Sequence, residues 1–197
     1  MLKDLAKKSV AIIGSGMAGL ASAKYALEND LIPYVFEKCE TIGDDFWSLS
    51  STQKYHGLVK NVSIYREMFS DLLWPKNTQM FPSEIEVHFY LNQYVQKFLL
   101  REHIYLNKEI VLARQNLDNR WEIISQNTKT QEEISETFDF LIITTGEYSG
   151  PFKSQFPNSK DFKGLQLQSL DFEQNDPRLD SKNVAVVKSY FDIHDNN

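Results

Sequence analysis

The sequence has very little cysteine and no long apolar run, and both features exclude whole classes of protein. Cys39 is the only cysteine among 197 residues. A single thiol excludes an internal disulfide, a CxxC redox pair and a cysteine-based zinc cluster, so we predict no metal site. No apolar segment approaches the roughly 20 residues that a membrane-spanning helix needs. We therefore expect neither a membrane span nor a dithiol enzyme.

The sequence is also short of positive charge. It has 21 lysines and arginines against 27 aspartates and glutamates, a formal net charge of -6. This balance gives no electrostatic reason to expect nucleic acid or an anionic membrane as a partner. Residues 1–8 mix leucines with lysines and lack the apolar core of a signal peptide. The expected location is therefore cytoplasmic or otherwise intracellular.

The first 37 residues predict a βαβ unit. Residues 9–13, SVAII, form a β-branched run, and the helical stretch MAGLASAKYALEND follows it to about Asn29. A second strand, PYVFEK, starts at Pro33. Strand, glycine turn, helix and strand within about 30 residues imply parallel strands joined by a right-handed crossover.

The next elements complete an α/β prediction. Ser83 and Glu86 form a capping-box signature before a helix that runs to about Leu100. Residues 109–138 fall into three short alternating segments, which predict an antiparallel meander. FDFLIITTG, residues 138–146, is predicted to be a fully buried strand that ends in a glycine. The fold class is therefore α/β: a Rossmann-like domain with a parallel sheet and a three-stranded antiparallel β-meander.

Gly14, Gly16 and Gly19 have GxGxxG spacing between the first strand and the helix. In this motif the glycines permit a tight turn, the approach of a pyrophosphate to the backbone, and close helix packing. Glu37 ends the second strand, where a carboxylate can accept both hydrogens of a ribose diol. The acid disfavours a 2′-phosphate, so the pattern predicts FAD or NAD rather than NADP. The alternative is that the glycines serve close packing alone.

Four stretches resemble one known family over nearly the whole sequence. They are residues 10–47, from VAIIGSGMAGL to GDDFW, then YHGLVKNVSIYREMFSDLLWP, FDFLIITTGEYSGP and FPNSKDFKGLQLQSLDF. Together they resemble the amino-terminal part of flavin-containing monooxygenases. The resemblance implies an FAD-binding fold and an NADPH-dependent oxygenation of soft nitrogen or sulfur nucleophiles.

The resemblance also implies a set of FAD contacts. They are the pyrophosphate contacts Gly14, Gly16 and Gly19, the ribose contact Glu37, and the flavin-proximal residues Phe46, Trp47, Asn61 and Val62. Asn61 is the catalytic candidate, because the matching asparagine of the family hydrogen-bonds near the reactive edge of the flavin. The alternative for Asn61 is that it caps a turn.

Three features depart from the family pattern. Asp44 and Asp45 stand near the expected phosphates, and Gln168 replaces the family's histidine. The family also has a GxG directly after the strand VAVV, residues 184–187, where this sequence has KSY, residues 188–190. A side chain there obstructs the phosphate turn, so the NADPH site is predicted to be degenerate.

These observations leave two main interpretations of function. Residues 1–150 form an FAD-binding Rossmann-like domain, and residues 151–197 form a linker and the remnant first strand of a lost NADPH-binding domain. The first interpretation is a flavin monooxygenase of impaired activity, and the alternative is a non-catalytic FAD-fold subunit acting as a structural or binding module in a larger assembly. A disulfide reductase is disfavoured by the lone Cys39. Apolar residues near the end, including Val184 and Phe191, predict a protein partner.

Overall fold

The computed structural model describes residues 7–43, 62–146, 157–167 and 176–187. Within these residues lie two α-helices and seven strands. They are β1 (Ser9–Ile13), α1 (Met17–Glu28), β2 (Ile32–Phe36), α2 (Glu84–Lys97), β3 (Ile104–Tyr105), β4 (Lys108–Gln115), β5 (Trp121–Asn127), β6 (Glu133–Phe138) and β7 (Phe140–Ile143).

A parallel sheet with the strand order β3-β2-β1-β7 organises the fold. β1 pairs in parallel with β2 on one side and with β7 on the other, so that Ile12 lies opposite both Val35 and Ile142. Val10, Ala11 and Ile12 are fully buried, as a strand covered on both faces requires. The predicted βαβ unit and its parallel strands are confirmed.

Helices α1 and α2 pack together in the larger hydrophobic core, on the side of the sheet reached by Val10, Ile12 and Val35. At the start of α2, the Glu86 carboxylate accepts the Ser83 backbone N–H at 2.8 Å, and the Ser83 hydroxyl accepts the Glu86 N–H at 3.4 Å. This is the predicted capping box. The helix ends at Lys97, earlier than expected, because Leu99 adopts a left-handed conformation with φ of 54°.

The antiparallel meander β4-β5-β6 covers the other face of the parallel sheet. Ile123 and Phe138 of the meander pack with Ala11 and Phe36 of the sheet in a second core cluster. The described chain therefore has three layers, with helices, parallel sheet and meander in that order. The predicted three-stranded meander is confirmed.

The prediction of a fully buried strand at residues 138–146 is wrong for β7. Phe140 is 42% exposed and Ile143 is 65% exposed. Within the described residues β7 pairs with β1 alone and forms the edge of the sheet, so one flank lacks a neighbouring strand. An apolar run therefore predicts a strand here, but it does not predict that the strand is covered.

The apolar residues 184–187 do not form the strand that the sequence predicts. They have no regular secondary structure, and Val184, Val186 and Val187 are 58%, 89% and 67% exposed. No strand of the described chain pairs with them, and backbone pairing is what makes an extended apolar run a stable strand. Within the same ranges, no helix is long and apolar enough to cross a bilayer.

Candidate functional site

The glycine turn between β1 and α1 is packed too tightly for side chains at two positions. Gly14 has a φ of 102°, and a Cβ added there would lie 2.9 Å from the Thr144 carbonyl oxygen. A Cβ on Gly19 would lie 2.0 Å from the Gly14 carbonyl oxygen. These positions need glycine for the turn and for the approach of α1, independently of any ligand.

Gly16 differs from its two neighbours in the motif, because its surroundings are open. A Cβ added to Gly16 would meet no atom within 4 Å. Gly16 is also the N-cap of α1, whose first turn has neither a side-chain cap nor an acidic residue. An uncapped helix N-terminus with an open approach is suited to an anion such as a pyrophosphate.

Thr144 joins the end of β7 to this turn and was not singled out from the sequence. Its hydroxyl lies 2.7 Å from the Ile13 carbonyl oxygen, to which it donates, and 3.1 Å from that of Gly14. The Thr144 N–H donates to the same Ile13 oxygen at 2.9 Å. Thr144 therefore fixes the position of the turn relative to β7. Its position directly after the apolar run of residues 140–143 was the one sequence feature that could have indicated this role.

Glu37 lies beside the glycine turn, directly after β2. Its side chain is nearly fully buried, and Oε2 accepts the backbone N–H of Ser15 at 2.9 Å and the Ser15 hydroxyl at 2.8 Å. Oε1 accepts the N–H of Cys39 at 3.0 Å. Buried carboxylates need such donors, because desolvation of an unpaired charge is costly. The predicted ribose-binding carboxylate is thus already held in place by the protein.

Ser15 is the second residue that sequence reasoning missed. It is fully buried, and its Oγ accepts the Gly43 N–H at 3.2 Å while donating to Glu37. The hydroxyl connects the glycine turn to the Gly43 turn, where an added Cβ would lie 2.4 Å from a methyl carbon of Leu91. Ser15 occupies a variable position of GxGxxG, so the motif gave no reason to select it.

A cavity of about 430 Å³ joins these features. It lies at the carboxyl ends of β1, β2 and β7, the edge at which open α/β sheets bind ligands. Its volume falls in the range of small-molecule sites. The lining residues include the glycine turn with Ser15, Glu37 and Lys38 after β2, Lys108, Glu109 and Ile110 of β4, and Thr144, Thr145 and Gly146 after β7.

The structure reaches only part of the predicted flavin site. Phe46, Trp47 and Asn61 lie outside the described residues, as do Asp44, Asp45, Gln168 and residues 188–190. Val62 is described and half-buried. The contacts of these residues with a flavin therefore stay predictions. Within the described ranges, no group of histidine, cysteine, aspartate and glutamate could hold a metal ion.

A βαβ unit with an open glycine turn and a buried acid after β2 is the arrangement typical of dinucleotide-binding α/β proteins. Residues 7–190 match the family described as flavin-binding monooxygenase-like. The chain belongs to this family, as the resemblance indicated.

Individual relatives agree with the family match. The chain is 31% identical to a 4-hydroxybenzoate brominase (decarboxylating) from Marinomonas mediterranea over 84% of its length, and 29% identical to the flavin-containing monooxygenase 5 of Oryctolagus cuniculus over 93%. Among solved structures, it is similar to the S-allyl-L-cysteine S-oxygenase of Allium sativum, with a TM-score of 0.73, 24% identity and 85% of this chain covered.

The matched region is a part of these larger proteins. The chain spans 31% of the brominase, 36% of the rabbit monooxygenase and 43% of the garlic oxygenase structure. The similarity therefore covers the βαβ unit and the meander.

Proposed function

We propose that this chain binds FAD and forms the FAD-binding part of a flavin-dependent monooxygenase. The single observation that carries the proposal is the open Gly16 position at the uncapped start of α1, facing a cavity that also contains Glu37. The residues present fit an adenine dinucleotide, because the anion site and the ribose acid meet at one sheet edge. Family membership favours FAD among such dinucleotides.

Each part of the site has a distinct role in this proposal. The N–H groups at the start of α1 bind the pyrophosphate, and Gly14 and Gly19 hold the turn in the shape that exposes them. Glu37 accepts a hydrogen bond from the ribose. When bound, FAD supplies the electron transfer and oxygen activation that amino acid side chains lack. The predicted flavin-proximal residues are Phe46, Trp47, Asn61 and Val62, and Asn61 is the catalytic candidate.

Reduction of the flavin by NADPH is the step that we expect to be impaired. The family's GxG is replaced by KSY at residues 188–190, which removes the flexible backbone of a phosphate turn. A protein partner or a larger assembly would then have to provide reducing equivalents. The exposure of Val184, Val186 and Val187 supports a protein partner at this part of the chain, without indicating its chemistry. The second candidate is a non-catalytic FAD-fold subunit that acts as a structural or binding module in a larger assembly.

An FAD titration of the full chain tests the proposal. Glu37→Ala should weaken FAD binding about ten- to a hundred-fold, because a hydrogen bond to a charged group is worth about 1.5–3 kcal/mol. Glu132→Ala, in an exposed turn of the meander, is the matched control and should leave the affinity unchanged. Equal affinity of the Glu37→Ala variant and the wild type would contradict the proposal.

A second variant separates binding from folding, because Glu37→Ala also removes three internal hydrogen bonds. Gly16→Ala adds a methyl group to open space, so thermal unfolding should be preserved while FAD affinity falls. Addition of NADPH to the FAD-bound chain should reduce the flavin slowly, and fast reduction would show an intact NADPH site. If chemically reduced flavin supports oxygenation of amines or thioethers, the non-catalytic candidate is overturned.

A further inference from the structure

The hydrogen bonds of Glu37 limit what the carboxylate can still accept. A carboxylate offers about four acceptor positions, two on each oxygen. Ser15 uses both positions on Oε2, with its N–H at 2.9 Å and its hydroxyl at 2.8 Å, and the Cys39 N–H uses one on Oε1 at 3.0 Å. With these bonds from the described residues in place, about one position is left for a ligand.

The Ser15 hydroxyl is held in this orientation by a second contact. Ser15 is fully buried, and its Oγ accepts the Gly43 N–H at 3.2 Å. Because the N–H of Gly43 approaches the oxygen, the hydroxyl hydrogen is left free to point at Glu37. Rotation of the hydroxyl away from Glu37 would leave a buried carboxylate less satisfied, which is unfavourable.

We propose that Ser15 is a specificity-determining residue that restricts Glu37 to a single ribose hydroxyl of the bound nucleotide. The proposal rests on the proposed function, since it requires an adenine nucleotide in the cavity. The ordinary expectation for an acid at this place is that it accepts both hydroxyls of the ribose diol. Here the serine hydroxyl takes the acceptor position that the second ribose hydroxyl would need.

The test compares ADP with 2′-deoxy-ADP and 3′-deoxy-ADP by calorimetric titration of the full chain, after any bound flavin has been removed. For the wild type, removal of one hydroxyl should weaken binding about ten- to a hundred-fold, and removal of the other should change it less than about threefold. Ser15→Ala frees an acceptor position on Oε2. In that variant both deoxy nucleotides should bind about ten- to a hundred-fold more weakly than ADP.

A matched control and a separate readout distinguish the outcomes. Ser22→Ala removes a hydroxyl that bonds the Ala18 carbonyl oxygen on the exposed side of α1, and it should keep the wild-type pattern. Equal losses for both deoxy nucleotides in the wild type, or an unchanged pattern in Ser15→Ala, would overturn the inference about Ser15. No binding of ADP to folded wild-type chain would instead overturn the proposed function itself.

Discussion

Two valine-containing runs of this chain have similar sequences and different environments. β1 contains VAII and leads into GSG, whereas residues 184–187 read VAVV and lead into KSY. Val10 and Ile12 of β1 are fully buried between two parallel neighbours, β2 and β7. Val186 is 89% exposed and belongs to no strand. The composition of the two runs does not account for this difference.

What separates the two runs is the set of contacts around them. β1 is paired along both edges, and α1 returns over it because Gly19 allows the helix to approach the Gly14 carbonyl. Residues 184–187 have none of these neighbours within the described chain. An apolar run forms a stable strand when its backbone groups are hydrogen-bonded to neighbouring strands and its side chains are buried.

The largest expected effect concerns the glycine turn that only β1 has. Gly19→Ala would place a methyl carbon 2.0 Å from the Gly14 carbonyl oxygen, so the helix or the turn must move. We expect a loss of about 3 kcal/mol in the free energy of unfolding, at the upper end of typical overpacking costs. Denaturant titration measures it. Gly16→Ala, in open space, should be neutral, and equal stability of the two variants would show that the tight turn is not required.

The same substitution in the two runs gives the next largest effect. Val10→Ala removes two buried methyl groups and should cost about 2 kcal/mol of unfolding free energy. Val186→Ala changes an exposed side chain and should stay within about 0.5 kcal/mol of the wild type. Thermal unfolding compares the two variants directly. A comparable loss for Val186→Ala would mean that residues 184–187 are covered in solution, contrary to their exposure in the structure.

Most of the fold could be predicted because its signals are local. The glycine spacing after β1, the capping box at Ser83 and the alternation of residues 109–138 each report the element in which they occur. Burial of β7 and a strand at residues 184–187 were predicted wrongly, because cover and backbone partners are supplied by other segments. Patterns in an isolated run contain no information about which neighbours are present.

The site shows the same division between local and non-local information. Glu37 was selected from its spacing after the glycines, and the structure places it against the glycine turn. Ser15 and Thr144 were missed, because their roles depend on contacts between residues far apart in sequence: Ser15 with Glu37, and Thr144 with Ile13. Hydroxyl residues are common in turns, and only the fold identifies the partner of each one.

The smallest expected effect concerns the hydrogen bonds between Ser9, at the start of β1, and Asp139, directly before β7. The Asp139 carboxylate accepts the Ser9 N–H at 2.8 Å and the Ser9 hydroxyl at 3.2 Å, and these donors, with Arg120 nearby, lower the pKa of Asp139. Because the pKa is lowered in the folded state, the carboxylate stabilises the fold at pH values above the ordinary pKa of aspartate. This contribution is lost as pH falls through the folded-state pKa.

Asp139→Asn should therefore cost about 1 kcal/mol of unfolding free energy at neutral pH, a modest value because the side chain is partly exposed. The difference from wild type should vanish in acid. Denaturant titrations across pH measure it, with Asp118→Asn in an exposed turn as the control. A constant difference at all pH values would show that the charge of Asp139 does not contribute to stability.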